Sequence, residues 1–161
     1  MPHTFVIFGA SGDLTSRKLV PALYNLMRAG LLPENTKIIG FSRTVLSDAQ
    51  WRASLRESTE QHTSGEPFSH EAWNDFEPII HYQPGDIENN EDFKSLQRRL
   101  HELEAGKCVP RVYYLATAPR FYTPAVTALG NLNMASEENG PRRIVIEKPF
   151  GTDFETAHLL N

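Results

Sequence analysis

Three groups of residues in this chain have the types and positions to hold an anion. The first is Gly9-Ala-Ser-Gly-Asp-Leu-Thr-Ser-Arg-Lys18, which follows a short apolar run from Phe5 to Phe8. Strand, small-residue turn and helix together let backbone N–H groups converge on a phosphate. Glycine stands where a side chain would block a ligand's close approach. The second is Arg43, at the end of Lys37-Ile-Ile-Gly-Phe-Ser42. A guanidinium there can make paired, charge-assisted bonds to a phosphate monoester, with Ser42 and Thr44 adding hydroxyl donors. The third is Lys148, confined between Glu147 and Pro149 in Glu147-Lys-Pro-Phe-Gly151. A lysine so held can anchor a phosphate or bridge two ligands. Each group also has a plainer reading: glycines serving turn geometry alone, a solvated arginine, a surface lysine paired with Glu147. Arg17 and Lys18 either face solvent or lean over the anion site.

The elements that must position these residues follow from pattern. Short apolar runs predict strands at Phe5–Phe8, Lys37–Ser42, Ile79–Tyr82, Arg111–Ala116 and Arg143–Glu147. In the first helix Leu19, Val20, Leu23, Leu26, Met27 and Leu31 fall on one face. Pro21 belongs in a first turn, so the regular helix is expected to start near Leu19, after an irregular lead-in from Asp13 to Lys18. Ser47 is an N-cap for a helix carrying Trp51 and Leu55 on its inner face. Further helices are expected over Ser69–Phe76, Asn90–Leu103 and Phe121–Met134, with another beginning at Asp153. Phe93, Leu96, Leu100 and Leu103 form the buried stripe of the Asn90 helix. Tyr113 and Tyr114 should face opposite layers. Strands alternating with helices imply an α/β fold of the Rossmann type: a doubly wound parallel sheet in three layers, with one domain over residues 1–161. Ligands bind beyond the carboxyl ends of such strands, which here are Gly9–Gly12, Ser42–Arg43, Gly85–Ile87, Ala116–Thr117 and Glu147–Lys148.

The turn departs from the G-x-G-x-x-G dinucleotide fingerprint, because Ser11 and Leu14 occupy the second and third glycine positions; no Gly-Lys-Ser/Thr follows, so it is not a P-loop. NAD-binding domains usually carry Asp or Glu at the end of the second strand to accept from the ribose hydroxyls. Here that place holds Arg43, and the next carboxylate is Asp48. The substitution favours NADP over NAD.

Composition excludes several classes. The 161 residues carry 16 Lys+Arg and 20 Asp+Glu, for a net charge of −4, which gives no broad footprint for nucleic acid. A single cysteine, Cys108, precludes an internal disulfide framework and suits a reducing compartment. No signal peptide or membrane span is visible, so a cytoplasmic protein is expected. The six histidines include no metal-spaced pair, and no Ser/His/Asp arrangement can be argued from their order.

Taken together, Gly9 to Lys18, Pro21-Ala-Leu-Tyr24, Gly40-Phe-Ser-Arg43, Tyr114-Leu-Ala116 and Glu147 to Gly151 closely resemble the N-terminal coenzyme domain of the glucose-6-phosphate dehydrogenases. The resemblance runs in order over essentially the whole chain. It implies that Gly9, Ala10, Ser11, Gly12, Asp13, Leu14, Thr15 and Ser16 cradle the NADP pyrophosphate and that Arg43 contacts the 2′-phosphate. Asp86, Ile87 and Tyr114 would border the cofactor. Lys148 would touch both cofactor and glucose 6-phosphate, with Lys18 on the substrate side. Where the family often has Pro-Pro after the fourth strand, this chain has Ala118-Pro119, so backbone geometry that depends on both prolines is not carried over. The family's substrate-binding histidine segment and its general-base histidine lie beyond this sequence. The resemblance therefore implies no catalytic residue here. It implies a truncated or fragmentary chain that binds NADP weakly and turns over nothing, drawn from an oligomeric family and prone to self-association. The contrasting expectation is a free-standing NADP-binding redox sensor, which should lack the Glu147 to Gly151 strand end.

Overall fold

A computed structural model of the chain describes residues 2–63 and 65–146. The strands β1 (Thr4–Phe8), β2 (Lys37–Ser42), β3 (Ile80–Pro84), β4 (Arg111–Leu115) and β5 (Arg142–Ile146) form one sheet in the order β3-β2-β1-β4-β5. Every pairing is parallel. The order reverses between β1 and β4, so the crevice expected of a doubly wound sheet opens beyond Phe8 and Leu115.

The helices α1 (Val20–Arg28), α2 (Asp48–His62), α3 (His70–Phe76), α4 (Asn90–Leu103) and α5 (Tyr122–Asn131) complete three layers. Side chains alternate across a strand, and the two cores follow that alternation. Val6, Phe8, Ile39, Phe41, Tyr113 and Leu115 bury one face against Phe93, Leu96 and Leu100 of α4 and Tyr122, Ala125 and Leu129 of α5. Ile7, Ile38, Ile80 and Tyr82 face the other way, onto Val20, Tyr24, Trp51, Leu55, Trp73 and Phe76. Tyr113 and Tyr114 divide between these layers, as expected. At the start of β4, the half-buried Arg111 guanidinium forks onto the buried Glu104, at 2.9 and 2.5 Å. Burial works against its charge, but the carboxylate outweighs that and raises its pKa.

The entry to α1 is the main departure from a regular pattern. Asp13 and Leu14 are already helical, and the irregularity expected of this lead-in takes the form of a π-helical turn over Thr15–Leu19. Pro21 explains it. A proline has no N–H and clashes with the carbonyl four residues back; the wider π turn relieves the clash. Val20 N–H bonds to Thr15 O, which leaves Ser16 O to pair with Pro21, which has nothing to donate. Ser58 of α2 donates to that carbonyl instead, at 2.7 Å.

Several boundaries also move. Helix α1 stops at Arg28 because Gly30 takes a positive φ of 71° and Leu31 N–H turns back to Leu26 O at 2.9 Å, a Schellman-type end. Leu31 is therefore not on the buried face. It is 70% exposed, and Leu26 is 40% exposed. Helix α5 likewise ends at Asn131 rather than Met134, because Asn133 has φ 57° and Met134 N–H returns to Leu129 O. Ile79 closes a 3₁₀ turn containing Pro78, so β3 begins one residue later than expected. The helix expected from Asp153 lies outside the described residues. Within them, no helix is long and apolar enough to cross a membrane.

Asp48 fastens α2 to the edge strand. Its carboxylate accepts from Tyr82 N–H at 2.7 Å and from Arg99 at 2.8 Å. Burial pushes this carboxyl up, but the Tyr82 N–H and Arg99 outweigh it and hold the pKa below its ordinary value of 3.8. A depressed carboxyl contributes stability above its unfolded pKa and loses it as pH falls through the folded value. Thermal melts from about pH 5 to pH 3 should therefore fall less steeply for Asp48→Asn than for the parent chain. Parallel slopes would show that Asp48 carries none of the acid sensitivity.

Candidate functional site

Beyond the carboxyl ends of the strands lies a cleft of about 540 Å³, lined in part by Gly9, Ser11, Arg43, Asp86, Ile87 and Thr117. Its floor is the first turn. Gly9 has φ 83°, and a Cβ there would stand 2.3 Å from Ala116 O of the neighbouring β4 connection. The bare backbone lets the two strand ends close together at the reversal point.

The turn spends some of its amides internally. Gly9 N–H and Ala10 N–H both reach Phe41 O, at 3.0 and 3.4 Å, while Gly12 N–H returns to Gly9 O at 3.0 Å. Thr15, fully buried, adds its hydroxyl to the same Gly9 carbonyl at 3.2 Å. The donors this leaves for an anion are in the first turn of the helix, whose amides lack intrahelical acceptors. Ala10 is buried beneath the turn in the core with Trp51. Asp13 is exposed, 4.0 Å from Arg17, and Ser16 donates to Asp13 O.

Hydroxyl groups gather at one end of the cleft. Ser42 donates to Ser11 Oγ at 2.8 Å, and Thr44 donates to the same oxygen at 3.2 Å. Two inward bonds occupy the Ser11 lone pairs and leave its own proton for an acceptor in the cleft. Between Ser42 and Thr44 stands Arg43, exposed, with no carboxylate partner among the described residues. A free guanidinium beside the outward Ser11 hydroxyl suits a doubly charged phosphate better than a ribose diol.

The remaining expected residues are dispersed. Asp86 and Ile87 line the cleft. The Asp86 carboxylate turns back to accept from Glu88 N–H at 2.9 Å, and Ile87 packs against the core beneath. Tyr114 does not line the cleft; it packs against the α1–α3 side of the sheet. Leu14 and Thr15 also lie away from the lining. Lys18 is exposed on a second hollow with Arg17, Pro21, Asn25, Leu26 and His62. Lys148 lies outside the described residues.

Two features are invisible to pattern. Thr117, in the cleft wall, carries a buried hydroxyl with no partner among the described residues. An orphaned hydroxyl there fits a ligand acceptor. The second is Tyr82, whose buried phenol supports the hydroxyl cluster from behind. For both, the only signal in the sequence is a polar or amphipathic residue near a strand end. Among the described residues, no histidine lines the cleft.

Comparison with known proteins supports the fold and gives the family. Residues 6–161 match the family model described as "Glucose-6-phosphate dehydrogenase, NAD binding domain". The chain is 40% identical to a glucose-6-phosphate 1-dehydrogenase of Treponema pallidum, over 99% of its own length and 32% of that protein's. It is 36% identical to the enzyme of that name from Ceratitis capitata, over 100% of the chain and 30% of the relative. A solved glucose-6-phosphate dehydrogenase in complex with its substrate glucose-6-phosphate superposes with a TM-score of 0.86 at 34% identity, over 98% of this chain and 32% of that one. The chain thus spans about a third of the length of these relatives. With a parallel Rossmann-type sheet, a cleft at its reversal point and a family model matching nearly end to end, the chain belongs to the glucose-6-phosphate dehydrogenase family, in its nucleotide-binding domain.

Proposed function

We propose that residues 1–161 are the coenzyme domain of an NADP-dependent glucose-6-phosphate dehydrogenase, whose whole protein oxidises glucose 6-phosphate at C1 to the lactone. The observation that carries the NADP preference is Arg43: an exposed guanidinium at the end of β2, facing the cleft between two hydroxyl residues that converge on Ser11.

The cofactor supplies the hydride acceptor. This chain's residues bind and orient it. The Gly9 to Ser16 turn offers its first-turn amides to the diphosphate. Arg43 and Ser11 take the 2′-phosphate, with Thr44 holding the Ser11 hydroxyl in place, Asp86 and Ile87 border the cleft, and Thr117 can donate from its wall. Tyr114 supports the sheet from behind. By the resemblance of Glu147 to Gly151 to the family's segment, Lys148 is assigned a role toward both cofactor and sugar phosphate, with Lys18 on the sugar side. A base for the C1 hydroxyl proton must stand within hydrogen-bond reach of it, and among the described residues no histidine borders the cleft to serve. The free-standing sensor is disfavoured, because the relatives named above are dehydrogenases. We place the protein in the cytoplasm or an equivalent reducing compartment, consistent with its lone Cys108. We also expect this chain to self-associate, as the intact family is oligomeric.

Calorimetric titration of the 161-residue chain with NADP and NAD tests this directly. NADP should bind more tightly, and addition of glucose 6-phosphate should produce no reduced nicotinamide. Equal affinity for the two cofactors would remove the 2′-phosphate assignment; turnover at an intact enzyme's rate would overturn the expectation of inactivity.

A further inference from the structure

Tyr82 is 2% exposed, packed against Trp51 with ring centroids 5.3 Å apart. Burial raises the pKa of its phenol, so it holds its proton. That oxygen lies 2.6 Å from Thr44 O, to which it donates, and 2.8 Å from Ser42 Oγ, with Ser42 O more distant at 3.4 Å. One phenol thus touches the residues immediately before and after Arg43.

The hydroxyl protons can be counted. Ser42 and Thr44 each spend their single proton on Ser11 Oγ. Ser42 therefore has nothing left to donate inward, and the contact with Tyr82 must be made by the Tyr82 proton, forked between Ser42 Oγ and Thr44 O. With the buried end of the chain acting as donor, every link points outward: Tyr82 to Ser42, Ser42 to Ser11, Ser11 to the cleft. A hydrogen-bonded chain with one fixed donor end polarises the links beyond it. No covalent bond forms or breaks; only the direction of the O–H groups is set.

We propose that Tyr82 is a positioning residue for the phosphate monoester end of the cofactor. Its phenol orients the hydroxyl chain as donors toward the cleft and pins the backbone on both sides of Arg43. The inference rests on the assignment of that end of the cleft to a 2′-phosphate. It adds a residue that never touches the ligand yet discriminates between cofactors.

The test is Tyr82→Phe, which keeps the ring and its packing and deletes only the hydroxyl. NADP affinity should fall about tenfold, the scale of one neutral hydrogen bond, while NAD affinity stays within about twofold, since NAD lacks the phosphate the chain serves. A general loosening of the fold would instead weaken both cofactors alike, and that result would overturn the proposal, as would an unchanged NADP affinity. Ser42→Ala provides a second arm. It cuts the chain while leaving the Tyr82–Thr44 bond, and should give a smaller loss, again confined to NADP; a Ser42→Ala loss shared equally by NAD would count against the proposal. Should the parent chain itself fail to prefer NADP, the 2′-phosphate assignment falls, and this inference falls with it.

Discussion

Gly9→Ala is expected to destabilise the chain by at least about 3 kcal/mol and to abolish measurable cofactor binding. Two costs add. A φ of 83° is a left-handed conformation that alanine adopts at a penalty. The new methyl would also stand 2.3 Å from Ala116 O and 2.8 Å from Ala116 C, both backbone atoms of a connection that cannot swing aside. Ala116 N–H is itself bonded to Phe8 O at 2.9 Å, so relief requires separating β1 from β4. Gly30→Ala is the comparison, because Gly30 has a similar φ of 71° but nothing within 4 Å of its would-be Cβ. It should cost about 1 kcal/mol, the conformational term alone. Urea unfolding of the two variants separates strain from collision. Equal losses would show that the close approach at the reversal point is not what requires glycine.

Arg43→Ala should weaken NADP by about 1.5–3 kcal/mol, roughly 10- to 150-fold, while leaving NAD nearly unchanged. The side chain makes no ion pair among the described residues, so its removal should barely alter the fold. Arg43→Lys should recover only part of the loss, because an ammonium keeps the charge without the planar fork. Titration with both cofactors decides it, and equal weakening of NADP and NAD would take Arg43 away from the 2′-phosphate.

The parts of this architecture legible in the sequence are those set by local pattern. β2 and α4 span the residues that the short apolar run and the apolar stripe predict. The Ser47 cap is completed by Gln50 in a reciprocal capping box. Arg43 could be singled out because the residue type at one strand end carries chemical meaning. What pattern hides depends on partners distant in the chain. The π turn needs Ser58 to satisfy Ser16 O across 42 positions. The hydroxyl cluster joins Ser42 to Tyr82 across 40 positions. In the sequence, Tyr82 is one more aromatic in a short strand. Ala10 and Thr15 show the converse: both belong to a turn that resembles a cofactor cradle, yet the fold uses Ala10 as core and the Thr15 hydroxyl as an internal tie.

The π turn also bears on how a binding loop and a packing helix can share one segment. In a continuous α-helix each residue advances about 100°, so the azimuth of the glycine turn would dictate which way Val20, Leu23 and Met27 face. The extra residue accommodated between Thr15 and Leu19 breaks that linkage. It acts as a phase shifter: the glycine turn is clocked to the strand end, and the apolar stripe of α1 is clocked separately to the sheet. Pro21 prevents the dislocation from migrating down the helix, and Ser58 pins it from the neighbouring one. Loop and helix can thus be tuned one at a time, the turn for what it holds and α1 for what it covers.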